Sequence, residues 1–150
     1  MSLGRILLGF IVVVFLVQPA LALDAINSTG PGHLAIRGTD TTAYFNKNGP
    51  EKGLAAHVVK WKGATWRFGS AAEANLFRAN PDAYAPQFGA YCTGGLSQRH
   101  VVEGKPQNWR IHEGKLYLFY SAGGARRFSE DSVNTLRKAQ AYWDTLGVKE

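Results

Sequence analysis

Two pairs of apolar runs along the chain each surround a short polar break. The first pair, AAHVVKW and ATWRFG, is separated by Lys62-Gly63, and the second, NWRIH and KLYLFY, is separated by Glu113-Gly114. The runs are rich in β-branched and aromatic residues, which favour strands, and a two-residue break containing glycine is typical of a tight turn. The pattern therefore predicts two β-hairpins.

A short helix is predicted between the hairpins. Ser70 followed by Glu73 forms a capping box, because the serine hydroxyl can accept from a free backbone amide while the glutamate reaches back. Leu76 and Phe77 supply an apolar face. Pro81 ends the helix, since the residue before a proline avoids the α region.

A longer amphipathic helix is predicted at the C-terminal end, from Ser129 to just before Gly147. Glu130 and Asp131 fall in its first turn, where negative charge complements the helix dipole. Together the elements predict an α+β fold: a small antiparallel sheet of two hairpins, a short central helix and a C-terminal amphipathic helix. The apolar positions of that last helix recur at mixed spacings of three and four, which places them on one face: Val133, Leu136, Trp143 and Leu146.

The first residues of the chain have a different pattern. Arg5 precedes an apolar run that is shorter than the roughly 18 residues needed to span a bilayer, and Ala20-Leu21-Ala22 matches a signal-peptidase site. We therefore predict a signal peptide over 1–22, a flexible leader rich in Gly, Pro and Ser over 23–33, and a folded domain over 34–150. The protein is expected to be periplasmic or secreted, and to meet a membrane only through the signal segment.

Composition and charge limit the function classes. The chain is 45% hydrophobic and contains 4 Trp, 6 Tyr and 8 Phe, which is the composition of a folded domain and not of a disordered one. Its formal net charge is +6, but export argues against a nucleic-acid partner. No basic run exceeds Arg126-Arg127, so we interpret the charge as ordinary solubility charge. The motifs of conventional hydrolases and of phosphate-binding loops are absent from the sequence.

The candidate chemistry centres on Cys92, the only cysteine of the chain, in the stretch FGAYCTGGLSQ. It cannot form an internal disulfide, so three roles are open: a small buried residue, a ligand of a metal or haem, or a reactive thiol. The metal role would draw on His57 and on His100, which could approach Cys92 across a turn. The ligand patterns of structural zinc and blue-copper sites are missing from the sequence. Copper, zinc and haem are the cofactors considered.

Several motifs together resemble the YHS domain family. WRFGSAAEANLFRANPDAYAPQFGAYC is similar to the family's central segment, AIRGTDTTAYF resembles its G-x-D-x-x-A-Y-F motif, and WRIHEGKLYLFY is similar to the exported bacterial branch. The resemblance covers roughly residues 34–143. It implies a compact α+β module related to small metal-binding domains that are often attached to heavy-metal transporters. Two cysteines flank the start of the central helix in those relatives, and Gly69 and Glu73 occupy the corresponding positions here.

The motif at the start of the resemblance contains Asp40 and Tyr44. A functional interpretation places them around a pocket with Tyr91, so Tyr44, Tyr91 and Cys92 are candidate ligand-binding residues. The alternative interpretation makes Asp40 a turn cap, because its side chain can bond the backbone that follows it. In that case Tyr44 belongs to the core.

We expect a binding module rather than an enzyme, with a small ligand or a metal ion as its partner and any protein partner unidentified. In the metal version of this hypothesis, Cys92 supplies a thiolate and His57 or His100 an imidazole. A second hypothesis is a thiol-dependent enzyme or redox protein with Cys92 as nucleophile. A third is a structural or partner-binding domain whose basic helix face meets an acidic partner. That face would consist of Arg126, Arg127, Arg137 and Lys138.

Overall fold

The computed structural model describes residues 22–149 of the chain. In that range the fold is mixed α/β, with several small sheets and six helices, none of which is long and apolar enough to cross a bilayer. The strands are β1 (Leu23–Asp24), β2 (Ser28–Thr29), β3 (Leu34–Ala35), β4 (Thr39–Asp40), β5 (Glu51–Lys52), β6 (Leu54–Trp61), β7 (Ala64–Phe68), β8 (Lys105–His112), β9 (Lys115–Phe119) and β10 (Val148–Lys149). The helices are α1 (Ala43–Asn46), α2 (Ala71–Ala79), α3 (Pro81–Tyr84), α4 (Thr93–Ser97), α5 (Ala122–Glu130) and α6 (Ser132–Trp143), and short 3-10 turns cover Ile36–Gly38 and Gln87–Ala90.

The larger sheet has four strands in the order β2-β3-β7-β6. Strands β6 and β7 are antiparallel and are joined by a turn at Lys62 and Gly63, where φ is 46° and 74°. Alternate residues of β7 are buried, because successive side chains of a strand point to opposite faces. This alternation packs Trp66 and Phe68 against Phe77 of α2, with ring centroids 4.9 and 5.1 Å apart. The contact between β7 and α2 forms the aromatic centre of the main core.

Strands β8 and β9 pair antiparallel in a sheet of their own. The sequence predicts one sheet that contains both hairpin segments, whereas the structure places them in different sheets. The reason lies along β9, where Leu118 pairs with Trp109 on one side and forms a parallel bridge with Cys92 on the other. Because the Cys92 segment takes the second side of β9, that strand does not join the larger sheet.

The start of α2 agrees with the predicted cap. Ser70 Oγ accepts from the backbone N–H of Glu73 at 3.2 Å and donates to its Oε2 at 3.1 Å. The helix also ends before Pro81, as predicted. Phe77 is fully buried, but Leu76 is 45% exposed, so the apolar face of α2 is narrower than the sequence indicates.

The C-terminal region forms two helices and not the single helix predicted from Ser129. Helix α5 continues through Glu130, and α6 begins after Asp131. The Asp131 backbone is non-helical, with φ −147° and ψ 66°, and its carboxylate accepts from the N–H of Asn134 at 3.3 Å. An N-cap residue needs this non-helical backbone, so Asp131 interrupts the helix. Val133, assigned to the apolar face by its spacing, is 76% exposed.

The N-terminal part of the described chain is folded. Residues 1–21 of the predicted signal peptide lie outside the described residues. The predicted flexible leader, 23–33, contains β1 and β2, and β1 runs parallel to β10. Ile26 is 4% exposed and belongs to the main core. This segment differs from the prediction because pairing with distant strands, which local composition does not reveal, holds it in place.

Candidate functional site

Cys92 lies at the start of α4, where its backbone and side chain are both held by neighbours. Its N–H donates to the carbonyl of Val102 at 2.9 Å. Its sulfur accepts from two backbone N–H groups, those of Gly95 and Tyr120, each at 3.2 Å. The residue is 5% exposed, as is common for free cysteines. The sulfur therefore occupies a defined position, with two fixed donors.

A cavity of about 430 Å³ opens beside this sulfur. It lies among α4, the end of β9, α5 and α6, above a small apolar core that Cys92 shares with Phe119 and Phe128. Its volume falls within the roughly 300–1,000 Å³ typical of small-molecule sites. The lining mixes apolar and polar groups: Cys92, Gly94, Gly95, Ser97, Gln98, His100, Val102, Tyr120, Ser121, Gly124, Arg127, Phe128 and Thr135.

The first turn of α5 forms one wall of the cavity. Ser121 caps this helix, since its Oγ accepts from the N–H of Gly124 at 3.1 Å. Both residues line the cavity, so the positive end of the α5 dipole is located at its edge. Tyr120, at the rim, is 51% exposed, and the Lys105 ammonium lies 4.0 Å from the centre of its ring.

Of the predicted site residues, the structure brings Cys92 and His100 to the same cavity. His57 lies half-buried on β6, in the larger sheet, and is not part of the cavity lining. The cavity thus brings His100, and not His57, beside Cys92.

The two candidate tyrosines also lie away from the cavity lining. The Tyr44 hydroxyl donates to the carbonyl of Pro106 at 2.8 Å, and the Tyr91 hydroxyl donates to that of Asp24 at 3.2 Å. Burial raises the pKa of both phenols above their ordinary value. Tyr44 is 2% exposed, so each tyrosine serves as a core residue with a single backbone partner.

The donor groups of the described residues do not fit a closed metal centre. Across residues 22–149, no group of three or more His, Cys, Asp and Glu side chains comes together in a way that could hold a metal ion. Structural zinc uses four such ligands, and blue-copper sites use two histidines with the cysteine. The Cys92 sulfur already accepts two backbone hydrogen bonds. The cavity offers one thiol and one imidazole, which are too few ligands for either kind of metal centre.

A second polar cluster surrounds Asp40 and includes Gly69 and Glu73 at the start of α2. Asp40 is fully buried and accepts three hydrogen bonds, from the N–H and hydroxyl of Thr42 at 2.9 and 2.8 Å and from the N–H of Gly69 at 2.8 Å. The interpretation of Asp40 as a turn cap is thus confirmed. Lys47 pairs with the Glu73 carboxylate at 2.8 Å. The cluster joins α1 to the start of α2, which is a structural role.

Sequence reasoning missed most of the cavity lining. Tyr120, Ser121 and Phe128 follow β9 in sequence, and Thr135 lies on α6. Their grouping depends on how α5 and α6 return over α4, a long-range arrangement that no local motif marks. Arg127 was singled out only as part of a basic face.

Comparison of the chain with protein-family models, curated proteins and solved structures finds no match. The site is therefore interpreted from its own geometry.

Proposed function

We propose that this protein is a non-catalytic binding module whose small-molecule ligand occupies the Cys92 cavity. The observation that carries the proposal is the 430 Å³ cavity itself, which borders a fixed sulfur and combines apolar with polar lining groups. Such a combination of an apolar surface with a few placed polar groups is typical of small-ligand sites. The resemblance to YHS domains supports a binding role, although Gly69 and Glu73 replace the metal ligands of those relatives.

The hydrogen bonds of Cys92 favour binding over catalysis. A cysteine nucleophile that is activated by a general base bonds to that base, whereas the Cys92 sulfur accepts from the backbone N–H groups of Gly95 and Tyr120. The two N–H groups hold the sulfur as part of the cavity wall. The thiol-enzyme hypothesis would instead need the same sulfur to react readily in the folded protein. The reactivity of Cys92 therefore distinguishes the two hypotheses.

The proposal is tested by filling the cavity. Binding of the fluorescent probe anilinonaphthalene sulfonate would be titrated in the wild-type protein and in Thr135→Phe, which places a ring in the cavity. Ala141→Phe adds the same ring to an exposed position of α6 outside the lining and is the control. We expect one probe per chain, and at least about a tenfold weaker affinity in Thr135→Phe, or about 1.4 kcal/mol, with no change in the control. Equal affinity in all three proteins would contradict the proposal.

Three further measurements separate the alternatives. Native Cys92 that alkylates as fast as a free thiol would favour the thiol enzyme, whereas alkylation only after unfolding favours the binding module. Stoichiometric binding of Cu(I), Zn(II) or haemin that is lost in Cys92→Ser would favour the metal hypothesis instead. The partner-binding hypothesis predicts an association with an acidic protein. This association would weaken with salt and would not change when the cavity is filled.

A further inference from the structure

The lining of the Cys92 cavity contains basic side chains and no acidic ones. Arg127 and His100 belong to it, whereas no Asp or Glu of residues 22–149 does. No carboxylate among residues 22–149 lies within 4.0 Å of the Arg127 side-chain nitrogens, since the ion pairs in that range involve other residues. Arg127 therefore lines the cavity without a carboxylate partner among the described residues.

Arg127 also lies close to the start of α5. Its Nη1 is 3.6 Å from the position that a Cβ atom would take on Gly123, and Nη2 of Arg126 is 3.7 Å from the same point. Both side chains thus fold back over the first turn of the helix, whose N-terminal end borders the cavity. The Arg127 guanidinium and the positive end of the helix dipole therefore concentrate positive potential at this wall, and Arg126 adds a charge close to the same turn.

Part of the remaining lining is apolar. Phe128 is 2% exposed and Val102 is 39% exposed, and both line the cavity. A ligand that fills this space must therefore place apolar atoms against the two side chains while meeting positive charge at α5.

We propose that the Cys92 cavity selects small anionic ligands, whose oxyanion group pairs with Arg127 and whose apolar part packs against Phe128 and Val102. The inference rests on the proposed binding function and narrows its ligand class. A guanidinium forms bidentate hydrogen bonds with either a carboxylate or a phosphate, so both kinds of oxyanion satisfy this chemistry.

The test uses four probes that share one aromatic ring: benzoate, phenyl phosphate, benzamide and benzylamine. Each is titrated into the full chain while the backbone amide NMR signals of the cavity residues Gly94, Gly95 and Gly124 are followed. We expect benzoate or phenyl phosphate to bind at least tenfold more tightly than benzamide, and benzylamine to bind most weakly. The better of the two anions identifies the oxyanion.

The variant Arg127→Gln should reduce the preference for the anions to less than threefold while leaving benzamide binding unchanged. Arg78→Gln is the matched control, because it removes the same charge from α2, outside the cavity lining. The preference should also decrease from low to high salt.

Two outcomes would overturn the inference, and they differ in what they say about the proposed function. If benzamide or benzylamine shifts the cavity signals with an affinity equal to that of the anions, the anionic class is wrong while the cavity remains a binding site. If none of the four probes shifts these signals, the inference fails. The proposed function is contradicted as well if anilinonaphthalene sulfonate binds Thr135→Phe as tightly as it binds the wild-type protein.

Discussion

Asp40 and Glu73 show how one small cluster can hold two carboxyl groups with opposite electrostatic tendencies. Burial raises the pKa of Asp40, although hydrogen bonds from Gly69 and Thr42 work against this effect. A hydrogen bond from Lys47 lowers the pKa of Glu73. Glu73 therefore stabilises the fold as a carboxylate, while Asp40 is held in place mainly by the backbone donors around it.

The Glu73 contribution should depend on pH. Because its pKa is lower in the folded state, its stabilisation is present above its unfolded pKa of about 4.3 and is lost as the pH falls through the folded value. We expect Glu73→Gln to cost about 1–2 kcal/mol at neutral pH, since a charged hydrogen bond to Lys47 is lost, and to cost progressively less below pH 4. Urea unfolding at several pH values measures the difference.

Glu51 provides the control for this experiment. Its carboxylate also pairs with Lys47, at 2.9 Å, but its side chain is 51% exposed. Glu51→Gln should change the free energy of unfolding by less than about 1 kcal/mol, as is usual for exposed pairs. A Glu73→Gln cost that stays constant from neutral to acidic pH would show that its ionisation does not contribute. Glu73 also raises the pKa of Asp40, so the difference between Glu73→Gln and wild type reports the ionisation of Glu73 together with its effect on Asp40.

At the scale of elements, predictability follows the range of the interactions. The Ser70 cap and the Asp40 turn depend on residues within three positions of each other, and the sequence predicts both. The division between α5 and α6 was missed because Asp131 suits the first turn of a helix as well as an N-cap. The way α5 and α6 pack around the cavity decides that Asp131 is an N-cap and not a first-turn residue.

The 3-10 turn at Gln87–Ala90 holds the N-terminal segment, and Gly89 is central to this contact. Its φ is +59°, and a Cβ at this position would lie 2.0 Å from the carbonyl oxygen of Ala25. Its own carbonyl accepts from the N–H of Asn27 at 2.7 Å. A side chain here is therefore opposed both by the backbone conformation and by a neighbouring backbone.

Gly89→Ala should lower the free energy of unfolding by more than about 3 kcal/mol, since a left-handed conformation alone costs a non-glycine residue roughly 1–2 kcal/mol. Gly114→Ala is the control, because φ is +72° there but nothing lies within 4 Å of the added atom. The free energy of unfolding of Gly114→Ala should fall only by this conformational cost. Hydrogen exchange at Asn27 should accelerate in Gly89→Ala and stay unchanged in Gly114→Ala. Equal losses in the two variants would rule out the close contact with Ala25.

At the scale of the whole molecule, the sequence predicts the four longest strand segments, β6 to β9, but not their arrangement. The turns at Lys62-Gly63 and Glu113-Gly114 are local, so both strand pairs follow from the pattern. Their separation into two sheets depends on the bridge between Cys92 and Leu118, residues that lie far apart in sequence. The cavity has the same origin, which explains why Cys92 and His100 were recognised as candidates while its other walls were not.

The two ends of the described chain meet through the pairing of β1 with β10, and Ile26 anchors this region in the main core. If residues 23–33 belong to the cooperative fold, Ile26→Ala must destabilise the entire protein, by about 2–5 kcal/mol for a buried isoleucine. Val133→Ala, at a position 76% exposed, should change stability by less than about 0.5 kcal/mol. Urea unfolding followed by both tryptophan fluorescence and circular dichroism measures each loss. A loss below 1 kcal/mol for Ile26→Ala would instead show that the segment detaches without affecting the core, as a flexible leader would.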